Sequence, residues 1–235
     1  MSKNPVKTTP TSFPAESAHF LLPGPAGVIE VVTEPAESEG EDAQATARGI
    51  AVICHPHPLH GGTMHNKVVT IIERSLRELG LDTVRFNFRG IGKSEGEFDE
   101  GIGESDDLGV IVEWARKVCP NAPLWLAGFS FGSYVALRNA KHLDADALIT
   151  IAPPVGRWEF ETIELPDCPW LVVQGEDDEV VDPQTVFDWV EQLEVSPQLV
   201  RMAETSHFFH RRLMDLRGAI KNAMRSHLPK ANDPA

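Results

Sequence analysis

Six short apolar runs, each separated from the next by a helical pattern or a loop, constrain this chain more than any other feature. They are ARGIAVICH (47–55), TVRFNF (83–88), PLWLAGF (123–129), ALITIAP (147–153), WLVVQG (170–175) and LVRMAE (199–204). Most are hydrophobic almost throughout, as strands become when both faces of a sheet are covered. Between them, Val68, Ile72, Leu76 and Leu79 recur at helical spacing, as do Leu108, Ile111, Ala115 and Val118. Val186, Val190 and Leu193 follow Pro183, a residue suited to a first helical turn. The alternation predicts an α/β fold: a mostly parallel, doubly wound sheet with helices on both faces. GVIEVVTE (27–34) reads as an opening antiparallel strand, and Phe208 to Leu228 as a long closing helix. The acidic stretches 33–42 and 95–107 read as solvated loops. Residues 1–17, rich in Pro, Ser and Thr, read as a flexible arm, and residues 18–235 as one domain.

Charge and cysteine usage narrow the function classes. A formal net charge of −14 argues against a nucleic-acid partner, because phosphate recognition needs a basic footprint. No apolar run reaches the length of a bilayer span, so no membrane association is expected. Cys54, Cys119 and Cys168 are odd in number and form no CxxC pair. That pattern fits free thiols in a reducing compartment, the cytoplasm.

GFSFG (128–132) directly follows the strand PLWLA, and a helical pattern follows it. A G-x-S-x-G pentapeptide is weak evidence alone; strand before and helix after is the context that gives it meaning. An abrupt strand-to-helix turn forces its central residue into a sparsely populated conformation, and neighbouring glycines let the two elements approach. Ser130 then stands at the carboxyl end of a strand, where parallel sheets bind ligands. The amide of Phe131, at the helix start, would point at an oxyanion formed on an acyl group carried by Ser130. A serine needs a base and an orienting acid to become a nucleophile. QGEDDEVVDP (174–183) offers Asp177, Asp178 and Asp182 past one strand, and ETSHFFHRR (204–212) offers His207 and His210 past the next.

With HPHPLHGGTM, NFRGIGKSEG, GFSFG, GEDDEVV and SHFFH, the chain from about residue 18 onward resembles the α/β-hydrolase superfamily. It is most similar to the small, nearly cap-less bacterial hydrolases. The resemblance implies Asp178 as the orienting acid and His207 as the base, with Asp182 and His210 as fallbacks. It also implies a second oxyanion amide in the loop CHPHPLHGG (54–62). Pro56 and Pro58 have no N–H to give, which leaves the backbone of His57. The segment 154–168, where larger relatives carry a helical cap, is short, so a shallow site with Trp158 and Phe160 as candidate substrate contacts is expected.

The expected reaction is acyl-enzyme hydrolysis of small neutral esters, a serine carboxylesterase without cofactor. Three other readings stay open. The same triad serves peptidases and thioesterases. His55, His57 and His60 fit the H-x-H-x-x-H of metal-dependent β-lactamase-type hydrolases, although Leu59 stands where that family has Asp. The fold could also serve as a non-catalytic binding module. Oligomeric state has no signal in the sequence. Arg89, in the NFRGIG turn, is expected to form a structural salt bridge, and His65 to be a polar residue at a helix start.

Overall fold

A computed structural model describes residues 8–37 and 47–229. Eight strands form one sheet: β1 (Ala18–Gly24), β2 (Gly27–Glu34), β3 (Gly49–Cys54), β4 (Leu81–Phe86), β5 (Leu124–Phe129), β6 (Ala147–Ile151), β7 (Trp170–Gly175) and β8 (Gln198–Met202). Their order is β1-β2-β4-β3-β5-β6-β7-β8, with β1–β2 and β2–β4 antiparallel and every later pair parallel. Among the described residues, five α-helices pack on the sheet: α1 (Lys67–Arg77), α2 (Ile102–Val118), α3 (Phe131–Ala140), α4 (Pro183–Gln192) and α5 (Leu213–Met224).

The continuous apolar runs have the expected cause. In β3, Ile50, Val52 and Cys54 enter one core and Ala51 and Ile53 the other. The first core is completed by Leu108 and Ile111 of α2, Val135 and Leu137 of α3, and Val186 of α4. The second is completed by Val68, Ile72 and Leu76 of α1 and by Leu216 and Ile220 of α5. The expected doubly wound sheet is therefore present, with helices on both faces. Its strand order reverses at β3, which has β4 on one side and β5 on the other. The loops leaving β3 and β5 thus flank a crevice at the carboxyl edge, the place where such sheets bind ligands.

Four elements differ from expectation or add to it. The edge strand β1 carried no clear signal: it contains Pro23, which an edge tolerates, and only Phe20 and Leu22 of its residues are buried. The acidic stretch 95–107 is not loop throughout, because α2 begins at Ile102. Glu104 accepts the amides of Gly101 (2.8 Å) and Asp99 (3.0 Å), capping that helix through its own third position. The closing helix starts at Leu213 and not at Phe208, after turns in which Phe209 and Arg211 have φ of 54° and 62°. Between β6 and β7, only a single 3-10 turn at Phe160–Thr162 stands where a helical cap could be inserted.

Residues 8–17 lie against the domain: the Trp114 indole donates to the carbonyl of Pro10 at 3.0 Å, and the Phe13 ring lies tilted 6.4 Å from that of Trp114. Residues 1–7 of the expected arm and 38–42 of the first acidic stretch lie outside the described residues.

Candidate active site

Ser130 closes β5 and opens α3 with φ 53° and ψ −122°, a conformation that costs a non-glycine residue about 1–3 kcal/mol. The flanking glycines make it attainable. A Cβ on Gly128 would sit 2.1 Å from the carbonyl of Gly132, and one on Gly132 would sit 2.3 Å from that of Cys54. The turn is then pinned: the Ser130 amide donates to Ile151 at 2.8 Å, and the Ser133 hydroxyl donates to the Ser130 carbonyl at 2.6 Å.

Ser130 Oγ lies 3.1 Å from His207 Nε2, and His207 Nδ1 lies 2.8 Å from Asp178 Oδ2. The three groups come from the ends of β5, β7 and β8, and all are buried. Asp178 Oδ1 accepts the amides of Val180 (2.8 Å) and Val181 (2.7 Å), and Oδ2 also accepts from Gln174 Nε2 at 2.9 Å. Burial alone would raise this carboxyl, but the hydrogen bond and charge of His207 and the two amides outweigh it and hold it below its usual range. An ionised Asp178 fixes the proton on His207 Nδ1 and leaves Nε2 free to accept from the serine. The next residue, Glu179, accepts the His207 amide at 3.0 Å and so anchors the histidine loop to the acid loop.

The amides of His57 and Phe131 make no hydrogen bond among the described residues. The first lies in the loop after β3 and the second opens α3, on the two sides of the crevice. The 55–64 loop is held at both ends by β4 and the turn after it. Phe88 donates its amide to His55 Nε2 at 3.0 Å, Met64 donates to Asn87 Oδ1 at 2.9 Å, and Arg85 donates to the Met64 carbonyl at 2.9 Å. Asn87 in turn donates to Glu30 at 2.8 Å. Gln174, Asn87 and Glu30 were not singled out from the sequence; isolated polar residues inside or beside strands carry no motif.

The fallback residues Asp182 and His210, and the neighbouring Asp177, sit elsewhere. Asp182 accepts the amides of Gln184 and Thr185 as the N-cap of α4, Asp177 is exposed, and His210 is exposed beside Phe208. His65 is exposed just before α1. Trp158 is half-buried with its ring 5.7 Å from that of His57. Phe160 does not reach the crevice: it is buried against Tyr134 and Trp189, so its contacts are core packing. A cavity of about 540 Å³ between segments 155–157 and 178–185 is lined by Asp178 but not by Ser130 or His207.

The three loop histidines do not present a ligand set. His55 is fully buried with both ring nitrogens engaged, Nδ1 with the Pro56 carbonyl at 2.7 Å and Nε2 with the Phe88 amide. His57 Nδ1 accepts the Leu59 amide at 3.2 Å, and its ring stacks on His60 at 4.3 Å. Among the described residues, no cluster of three or more His, Cys, Asp or Glu side chains could hold a metal ion. Nor is any helix long and apolar enough to cross a membrane.

Comparison with known proteins shows the family and the fold. The family described as serine aminopeptidase, S33, matches residues 47–167. The crystal structure of XC6422 from Xanthomonas campestris, an α/β serine hydrolase without lid, is 52% identical, with a TM-score of 0.89 over 95% of this chain and 99% of that one. An α/β serine hydrolase homologue from Coxiella burnetii is 43% identical, with a TM-score of 0.82 over 88% of this chain and 97% of that one. The uncharacterized protein RP471 from Rickettsia prowazekii is 33% identical over 78% of this chain and 82% of its own length. Est1E from Butyrivibrio proteoclasticus, 15% identical with a TM-score of 0.74 over 89% of this chain and 98% of its own, shares the fold.

Proposed function

The chain belongs to the α/β-hydrolase superfamily, in the family described as serine aminopeptidase, S33, and on that premise we propose that it is a carboxylesterase acting on small neutral esters through an acyl-enzyme on Ser130. The observation that carries this reading is the unbroken chain Ser130–His207–Asp178, at 3.1 and 2.8 Å, with two nearby amides that have no partner among the described residues.

In the proposed reaction, His207 Nε2 takes the hydroxyl proton as Ser130 Oγ attacks the ester carbonyl. Asp178 stabilises the imidazolium that results. The amides of Phe131 and His57 receive the oxyanion, and losing either would be expected to cost ~2.7–4 kcal/mol of barrier. His207 then returns the proton to the leaving alcohol, and the same base activates water to release the acid. The preference for small substrates rests on the short β6–β7 segment: with no α-helix there to enclose a long substrate, small acyl and alcohol groups are favoured. Preference for neutral substrates rests on the net charge of −14 and on the exposed acids of the surrounding loops.

A panel of p-nitrophenyl esters of increasing acyl length, run beside Ser130→Ala and with fluorophosphonate labelling, tests the proposal. Labelling at Ser130, short-chain turnover and its loss in the variant are expected; equal rates for both proteins would remove the serine mechanism. The family's description favours one second reading, an aminopeptidase. Leucine p-nitroanilide in the same assay separates the two, since an esterase would leave it intact.

A further inference from the structure

We propose that the rings of His57, Phe98 and Trp158 form an acyl-binding shelf that selects a neutral, planar aromatic acid group. This rests on the serine-hydrolase reading above and goes beyond it by naming the substrate class. Three segments distant in sequence converge here: the loop after β3, the acidic loop before α2 and the β6–β7 segment. The His57 ring lies 4.8 Å from Phe98, 5.2 Å from Phe131 and 5.7 Å from Trp158. Phe131 is fully buried, 5.6 Å from Phe98 and 5.2 Å from Trp158, and Tyr134 stacks under Trp158 at 5.7 Å. These two rings form a floor, whereas His57, Phe98 and Trp158 keep part of their surface exposed.

The chemistry of the adduct assigns the shelf to the acyl half. A tetrahedral adduct on Ser130 turns its oxyanion towards the amides of Phe131 and His57. Its leaving oxygen must face His207 Nε2 to be protonated. The His207 ring is bordered by Phe129 and Phe208, and by none of the shelf rings. The remaining substituent, the acyl chain, extends to the side where the oxyanion residues present their own rings. An aryl group gains edge and offset-stacked contacts there that a saturated ring of equal bulk does not. Burial and the neighbouring His60 depress the pKa of His57, so at neutral pH its imidazole is uncharged and offers a ring face. Glu97, Asp99 and Glu100 flank Phe98, and Glu159 flanks Trp158, all exposed, which disfavours an acyl group carrying its own carboxylate.

Methyl phenylacetate and methyl cyclohexylacetate share one leaving alcohol and differ little in volume. With each kcat/KM divided by the ester's hydroxide rate, the aryl ester should be favoured about fivefold or more. Phe98→Leu and Trp158→Leu should each bring that ratio towards one, a within-variant comparison that does not depend on how much protein folds. A ratio of one in the unaltered protein, or a ratio kept by both variants, overturns the shelf. Calorimetry of the same two esters on Ser130→Ala reads the preference without turnover. Failure of the hydrolase reading would appear as equal hydrolysis by the unaltered protein and Ser130→Ala, while tighter aryl binding would still support the shelf and equal binding would refute it.

Discussion

Arg89 and Asp107 meet fork to fork, Nη2 to Oδ1 at 2.9 Å and Nε to Oδ2 at 3.1 Å, and the Arg89 amide adds a third bond to Oδ2 at 3.0 Å. The pair ties the turn after β4 to the first turns of α2, and thereby holds the acidic loop that carries Phe98. Asp107 is 1% exposed, so truncating Arg89 leaves a buried carboxylate without its counterion. Arg89→Ala should therefore destabilise the fold by about 3–5 kcal/mol, and the double variant Arg89→Ala/Asp107→Ala should lose less than the two single losses summed. Urea unfolding of all four proteins measures the coupling; strict additivity would show that the pair is not a unit.

This pair also marks where sequence reading stops. Central strands announce themselves because both faces are buried, which is why β3, β5, β6 and β7 could be read directly. The nucleophile turn was legible for a related reason: Gly128 and Gly132 are demanded by backbone contacts of 2.1 and 2.3 Å that no other residue can meet. The start of α2 was hidden because its acids, Glu104 and Asp107, look like solvated residues and are buried. Their partners, the amides of Gly101 and Asp99 and the Arg89 fork, exist only after the loop has closed. Phe98 carries no signal for the same cause, as a lone aromatic in an acidic run. Trp158 and Phe160 were indistinguishable by type; the 3-10 turn between β6 and β7 decides which one points into the core.

Asp178 receives four donors: His207 Nδ1, Gln174 Nε2 and the amides of Val180 and Val181. In Asp178→Asn, the single oxygen can satisfy the two backbone amides only by turning the NH2 group towards His207. The imidazole must then accept at Nδ1 and carry its proton on Nε2, where it can no longer take one from Ser130. The expected result is a fall in kcat of about 10⁴ with KM little changed. Asp182→Asn touches only the cap of α4 and should cost about 1 kcal/mol or less of stability while sparing kcat. Steady-state kinetics on p-nitrophenyl acetate distinguish the two acids, and similar losses in both would reopen the choice between them.

The conformation of Ser130 carries a stability consequence separable from chemistry. At φ 53° and ψ −122°, a Cβ is disfavoured whatever lies beyond it. Both Ser130→Ala and Ser130→Gly remove the hydroxyl, yet only the second relieves the strain. After the entropy that glycine adds to the unfolded chain is set against that relief, Ser130→Gly should be more stable than Ser130→Ala by about 1 kcal/mol. Paired urea titrations measure it. Equal midpoints, or a less stable glycine variant, would mean that the turn stores no strain at this residue.

His55 makes stability depend on mild acid. It is fully buried, its Nδ1–H donates to the Pro56 carbonyl, and its Nε2 accepts the Phe88 amide, so a second ring proton would face another N–H. Burial pushes its pKa down from 6.5 to about 4. The unfolded chain takes up a proton on this ring as pH falls past 6.5, whereas the folded protein resists until near 4. The contribution is complete above about pH 6.5 and is lost as pH falls towards 4, by roughly 3 kcal/mol in all. Asp178, whose pKa is lowered from 3.8 because the bonds from His207 and two amides outweigh its burial, adds a loss of the same sign as pH falls through that depressed value. Unfolding free energies at pH 7.5, 6.5, 5.5 and 4.5 should change little between the first two and then fall steadily in the unaltered protein. In His55→Gln, whose amide oxygen can still accept from Phe88, the curve should start lower at pH 7.5 and run flatter down to 4.5. Parallel curves for the two proteins over that window would assign the acid sensitivity to some other group.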